Sequence, residues 1–333
     1  MGLRTTPACL AVAWLATAAL AQVDQRPGQD GVFGKDYRIN REYPLQFILE
    51  KVEYTVGRVR LGDAVRGCQA DEKLMVVHFA VQNATNDDSG FRFDTIAMTA
   101  VDDQQQNFEY RRDYAADGTG QLVDLLLKPA QKMRCYAVLP MPAAARITKL
   151  MILPRDDNDP VLRYALDGKI DRLPETVADP ADKTGLTPAA ELAAKVGEWR
   201  PIGQLDVRID AGAASAEAIA DNDLPEGRSW YAVTLTLRNG SPAKQLINER
   251  ALTGKLGLTD ETEVEQPLLV MPKAAKPASF DLPAGAERAV RLFFAVGPDD
   301  KPAAVRVRGL NFIDGTEGES REVVVPLSAP PAG

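Results

Sequence analysis

Two stretches decide the fold: LMVVHFAVQN at residues 74–83 and WYAVTLTLRN at residues 230–239. In the first, Met75, Val77, Phe79 and Val81 share one face of an extended chain, because strand side chains alternate with a period of two. In the second, Tyr231, Val233, Leu235 and Leu237 do the same. Each run ends in an asparagine and a turn, Asn83-Ala84-Thr85-Asn86 and Asn239-Gly240-Ser241-Pro242. The two strands can be laid over each other residue by residue.

The likeness extends downstream. LLLKPA at residues 125–130 precedes a long apolar strand, and FDLPAG at residues 280–285 precedes another. After the second, Val290, Leu292, Phe294 and Val296 alternate with Arg291 and Phe293, and beyond a proline turn Val305 and Val307 alternate with Arg306 and Arg308. Residues 147–153 take that last place in the first half. A spacing of about 155 residues is far longer than the 20 to 50 of solenoid arrays, so the repeat is a pair of whole domains. Short strands separated by Gly, Asn, Asp and Pro predict an all-β chain of two tandem sandwich domains, residues 44–167 and 201–328.

The remaining segments read differently. Arg4, an apolar run over residues 8–21 and the small residues Ala19 and Ala21 before Gln22 have the form of a signal peptide, residues 1–21. Residues 22–43 lack a hydrophobic period and are expected to form a flexible leader. Residues 168–200 read as a linker. Within it Thr187 can cap, Pro188 suits a first helical position and residues 189–196 are strong helix formers, which predicts one short helix.

The 76–83 strand, a second strand ending in Val101, Asp102 and Asp103, and Pro129 and Ala130 leading into residues 133–139 resemble the uncharacterised immunoglobulin-like domains of bacterial secreted proteins and lipoproteins. The pattern recurs at residues 233–239, 258–260 and 283–296. The resemblance implies an immunoglobulin-like fold and export, and it brings no activity and no functional residues. The chain departs from the lipoprotein members in lacking a cysteine after the apolar run, where Gln22 stands.

The formal charge is −8 with a pI near 5.0, and no Lys and Arg cluster is visible, which argues against nucleic acid as a partner. The apolar run of residues 8–21 is too short to span a bilayer, and no other apolar segment approaches the length required. A secreted or periplasmic location is therefore expected, one that permits disulfides. Cys68 and Cys135 remain after processing and are the candidate pair; the alternative is two buried free thiols.

Chemistry is sparse. The one histidine, His78, leaves little room for a catalytic triad or a histidine metal site. No nucleophile elbow, phosphate loop or dinucleotide fingerprint is present. No enzyme, cofactor or metal is expected. Acidic clusters at Asp102 and Asp103, at Asp156, Asp157 and Asp159, at Asp221 and Asp223, and at Asp299 and Asp300 lack the spacing of a calcium loop, and Asp is also a turn residue. Phe91, Phe93, Tyr110, Arg111 and Arg112, with Arg92, Phe108 and Tyr114 among them, form the densest aromatic and basic region. They are the candidate ligand-binding residues, the alternative being a half-buried strand. Trp199 and Trp230 are read as packing where the expected helix meets the second domain. The function expected is a non-enzymatic binding or structural scaffold for a protein or glycan of the cell envelope, the alternative a small-ligand or calcium-binding module.

Overall fold

The computed structural model describes residues 26–327 except 42, 110–113, 157, 220–221, 266–267, 272–276 and 314–315. The signal peptide of residues 1–21 lies outside the described residues.

The first sandwich has one sheet in the order β1 (Gly28–Asp30), β14 (Val161–Ala165), β13 (Ile147–Pro154), β8 (Ile96–Asp102), β9 (Asn107–Glu109). The facing sheet runs β10 (Ala115–Ala116), β12 (Lys132–Pro142), β6 (Glu72–Gln82), β3 (Leu45–Thr55), β2 (Asp36–Ile39). A ribbon of β7 (Ser89–Phe91) and β11 (Leu125–Leu127) and a hairpin of β4 (Val59–Leu61) and β5 (Ala64–Arg66) complete it.

The second sandwich repeats that order. One sheet is β15 (Glu191–Ala193), β27 (Glu322–Pro326), β25 (Pro302–Ile313), β20 (Leu252–Leu258), β21 (Glu263–Glu265), with β26 (Thr316–Glu319) paired to β25. The other is β22 (Leu268–Val270), β24 (Glu287–Val296), β18 (Ser229–Asn239), β17 (Leu205–Ser215), β16 (Trp199–Ile202), and the ribbon is β19 (Gln245–Ile247) with β23 (Phe280–Leu282). Even the irregularities recur. A register shift falls between Leu49 and Lys51 in β3 and between Ile209 and Ala211 in β17, a bulge that bends each strand at the same place.

The deciding stretches are the central strands β6 and β18. Their alternating residues lie in two separate hydrophobic cores, one holding Met75, Val77, Phe79 and Val81, the other Tyr231, Val233, Leu235 and Leu237. Each fully buried side chain of this size contributes about 1.5–3 kcal/mol. The closing asparagines are buried plugs with matching bonds. Asn83 Nδ2 donates to the carbonyls of Asp87 (2.8 Å) and Leu127 (2.7 Å), and Asn239 Nδ2 to those of Ala243 (2.8 Å) and Leu282 (2.9 Å). Their Oδ1 atoms accept from the backbone N–H of Thr85 and of Ser241. Each asparagine thereby ties its central strand to the strand that closes its ribbon, β11 or β23.

Four expectations are corrected. No helix occurs among the described residues: Glu191–Ala193 is a strand parallel to β27, with Leu192 opposite Val323. Leu192 and Ala194 are buried and their neighbours exposed, so a period of two and the open edge of β27 override the helix propensity of an Ala-rich run. The leader is ordered from Gly28, where β1 pairs parallel with β14, and farther on β2 pairs antiparallel with β3. In the linker, Ile170 and Leu173 lie in the first core, while β15 and β16 belong to the second sandwich. Cys68 and Cys135 are free thiols. Cys135 points into the first core and Cys68 packs with Leu74, Val76, Tyr136 and Val138 on the opposite face of the same sheet, so their sulfurs are separated by a layer of backbone.

The sandwiches meet through polar contacts. Arg321, buried at the start of β27, donates from Nη2 to the Glu72 carbonyl (2.7 Å), from Nη1 to Cys68 Sγ (3.5 Å) and from Nε to the Ala189 carbonyl (2.9 Å). The backbone N–H of Ala70 donates to the Glu319 carbonyl at 2.9 Å. Lys73, buried in β6, donates to the Leu186 carbonyl at 2.9 Å.

Candidate functional site

A hollow with a volume of about 930 Å³ lies on the first sandwich. Four segments distant in sequence build it. The β7–β11 ribbon supplies Gly90, Leu125 and Leu126; the chain before β3 supplies Asn40 and Tyr43; the turn before β8 supplies Arg92 and Thr95; and the turn following β13 supplies Arg155 and Asp156.

Local hydrogen bonds fix this frame. Thr95 Oγ1 accepts the Arg92 N–H (2.9 Å), its own N–H donates to the Arg92 carbonyl (2.9 Å), and its carbonyl accepts the Arg155 N–H (3.0 Å). Asn40 adopts φ 58°, a left-handed conformation that asparagine tolerates better than most residues, and its N–H donates to Asp159 Oδ2. Asp94 lies 3.0 Å from Arg155 Nη1 and 3.8 Å from Arg92 Nε, so one carboxylate sets both guanidinium groups at the rim. Lys128 Nζ pairs with Asp88 at 2.6 Å on the ribbon side.

The lining is mixed by design of the ribbon. Leu126 is 62% exposed and Tyr43 is 56% exposed, both large apolar groups open to solvent beside charged neighbours. Such a surface can lay an apolar face against a ligand while Asn40, Asp88, Asp124, Arg92 and Arg155 offer hydrogen bonds, the usual division of labour in a binding pocket.

The candidate ligand-binding residues separate. Phe91 is fully buried, stacked on Tyr114 with ring centroids 5.3 Å apart, and so belongs to the core. Phe93 is 45% exposed and adjoins Arg92, which does line the pocket. Tyr110, Arg111 and Arg112 lie outside the described residues. Tyr43, Asn40, Leu126 and Arg155 carry no local signal in the sequence, since only the fold brings residues near 40, 90, 125 and 155 together.

The other chemically capable groups are committed to structure. His78 Nε2 lies 2.8 Å from Glu53 Oε1 on the half-buried face of β6. Burial raises the Glu53 carboxyl, but bonds from Lys51 and His78 outweigh it and hold it below its ordinary value. Burial pushes the Cys68 thiol up to about 11 and the Cys135 thiol up to about 12, far from a reactive thiolate. Asp102 Oδ1 accepts the N–H groups of Gln104 (2.9 Å) and Gln106 (2.7 Å), Asp156 Oδ1 that of Asn158 (2.9 Å), and Asp300 Oδ2 that of Gly297 (2.6 Å). These are turn bonds; Asp157 and Asp221 lie outside the described residues. Among the described residues no group of three His, Cys, Asp or Glu is placed to hold a metal ion, and no helix is long and apolar enough to cross a membrane. Trp230 is buried edge-on against Phe293 at 6.0 Å, and Trp199 lies beside Arg208 and Arg238.

No family model matches the chain, and comparison with curated proteins finds no similar sequence. Among solved structures, an uncharacterised β-sandwich protein from Clostridium difficile 630 aligns at a TM-score of 0.34 and 8% identity, over 43% of this chain and 97% of that one. The secreted protein MPT63 from Mycobacterium tuberculosis aligns at a TM-score of 0.30 and 13% identity, over 41% of this chain and 97% of that one.

Proposed function

We propose that the protein is an exported, non-enzymatic binding scaffold that holds a protein or glycan of the cell envelope in the pocket of its first sandwich. The observation that carries this reading is the exposure of Tyr43 and Leu126 within a hollow of about 930 Å³, beside the charge pairs Lys128–Asp88, Arg92–Asp94 and Arg155–Asp94. Large apolar side chains left open beside polar groups are the pattern of a surface that loses water when a partner arrives. The commitment of His78 to Glu53 and the burial of both thiols support a role without catalysis. Export rests on the signal-peptide pattern of residues 1–21.

The test is capture from envelope extracts by mature protein, residues 22–333, in wild-type form and as Leu126→Asp and Tyr43→Ala. Both side chains are largely solvent-exposed, so the fold survives either change. A partner retained by wild type and reduced at least tenfold by either variant is the expected result. Equal retention by all three proteins would remove the pocket from the account.

A further inference from the structure

A second hollow lies where the sandwiches meet, and its chemistry is the opposite of the chain's net charge of −8. Two spaces of about 500 and about 400 Å³ share Arg58, Asp206 and Arg238. Arg60 lines the first and Arg200 the second. Arg58 and Arg60 come from the first sandwich, just before and within β4, and Arg200 and Arg238 from β16 and β18 of the second. Each space is thus lined by three arginines and one carboxylate, with Arg58, Arg238 and Asp206 common to both.

That carboxylate is already shared. Asp206 Oδ2 accepts from Arg58 Nη2 at 2.7 Å and from Arg238 Nε at 2.9 Å. Farther out, Arg200 pairs with Glu198 at 2.8 Å and also donates from Nε to the Ala193 carbonyl and from Nη1 to the Trp199 carbonyl, and Glu287 lies 3.8 Å from Arg238; Arg60 has no carboxylate within 4 Å among the described residues and spends its Nε on the Gly62 carbonyl. Arg58 Nη1 is buried without a hydrogen-bond partner among the described residues, a donor that costs free energy until an acceptor reaches it. Trp199 holds Arg238 in place, the guanidinium carbon 4.5 Å from the ring centroid, so little side-chain freedom is lost when a ligand binds.

We propose that this interdomain cleft binds an oxyanion, a phosphate, sulfate or carboxylate group, through arginines of both sandwiches, and that binding ties the two together. Guanidinium groups suit this ligand because their planar forks offer paired N–H donors to paired oxygens. The group could be free in solution or carried on an anionic polymer, and the two sources are separable by experiment.

Thermal unfolding of the mature chain is followed with inorganic phosphate, inorganic sulfate and a heparin oligosaccharide, each against sodium chloride at equal ionic strength. A saturable rise in Tm of about 2 °C or more, beyond that in chloride, is expected. A rise with phosphate or sulfate assigns the free ion, and one with the oligosaccharide alone assigns the polymer-borne group. Arg60→Gln and Arg200→Gln, which leave the Arg58–Asp206–Arg238 bridge intact, are expected to weaken the apparent affinity at least tenfold while near-UV circular dichroism stays unchanged. A response no larger than chloride gives, or one unaltered in both variants, would overturn the assignment.

Discussion

At Ala130 the chain takes φ 62°, where the equivalent turn of the second sandwich has Gly285 at φ 70°. The turns correspond bond for bond: the N–H of Ala130 donates to the Asn83 carbonyl and that of Gly285 to the Asn239 carbonyl, both at 2.9 Å. A Cβ in this region strains the backbone, so Ala130→Gly is expected to stabilise the protein by about 0.5–1 kcal/mol in urea unfolding, and a loss of stability would contradict the assignment. Lys73 makes a second prediction at this scale. Its side chain is 1% exposed, over the Tyr54 ring at 4.2 Å, with Asp182 and Arg321 as its charged neighbours, and burial lowers its pKa to about 8 from 10.5. Between those values the unfolded chain binds the extra proton, so stability rises with pH from about 8 to about 10.5, by at most about 1.4 kcal/mol per unit. The stability difference between wild type and Lys73→Met, measured across that window, should grow in favour of wild type; a flat difference would refute it. Asn83 and Asn239 were legible as strand ends, because an asparagine closing an apolar run signals a turn. The partners of Lys73 and His78 were not, because Leu186 and Glu53 are distant in sequence: Glu53 meets His78 through the pairing of β3 with β6, and Leu186 meets Lys73 from the chain between β14 and β15.

The strands were legible wherever one face alone is buried, as in β13 and over residues 304–308 of β25. β6 departs from that pattern: Leu74 and Val76 are buried on its outer face too, with Val59 and Leu61 of the β4–β5 hairpin packed against that cluster. Alternation cannot announce a cover that comes from elsewhere in the chain. β15 shows the opposite failure, where good helix formers sit at an edge that needs a strand. If residues 191–193 pair with β27, Leu192→Ala removes a buried side chain and should cost about 2–3 kcal/mol, whereas Glu191→Ala, exposed on the other face, should change stability by less than about 0.5 kcal/mol. Equal effects of the two substitutions in chemical denaturation would argue against the strand.

Over the whole molecule, repetition made the two-domain plan readable, since each half carries the same order of apolar runs and turns. The junction was not readable. Arg321, Lys73 and the Arg58–Asp206 pair look like ordinary surface charges in the sequence, and their burial follows only from how the sandwiches meet. The pocket was half visible: Arg92 lay in the aromatic and basic region that drew attention, whereas Phe91 proved to be core and Tyr43, Leu126 and Arg155 arrive from other segments. The central claim is that this pocket is where a partner is held, and hydrogen exchange of the mature chain with and without its captured partner tests it most directly. Protection is predicted at residues 40–43, 88–95, 124–126 and 155–156; protection confined to the second sandwich, with those segments unchanged, would contradict it.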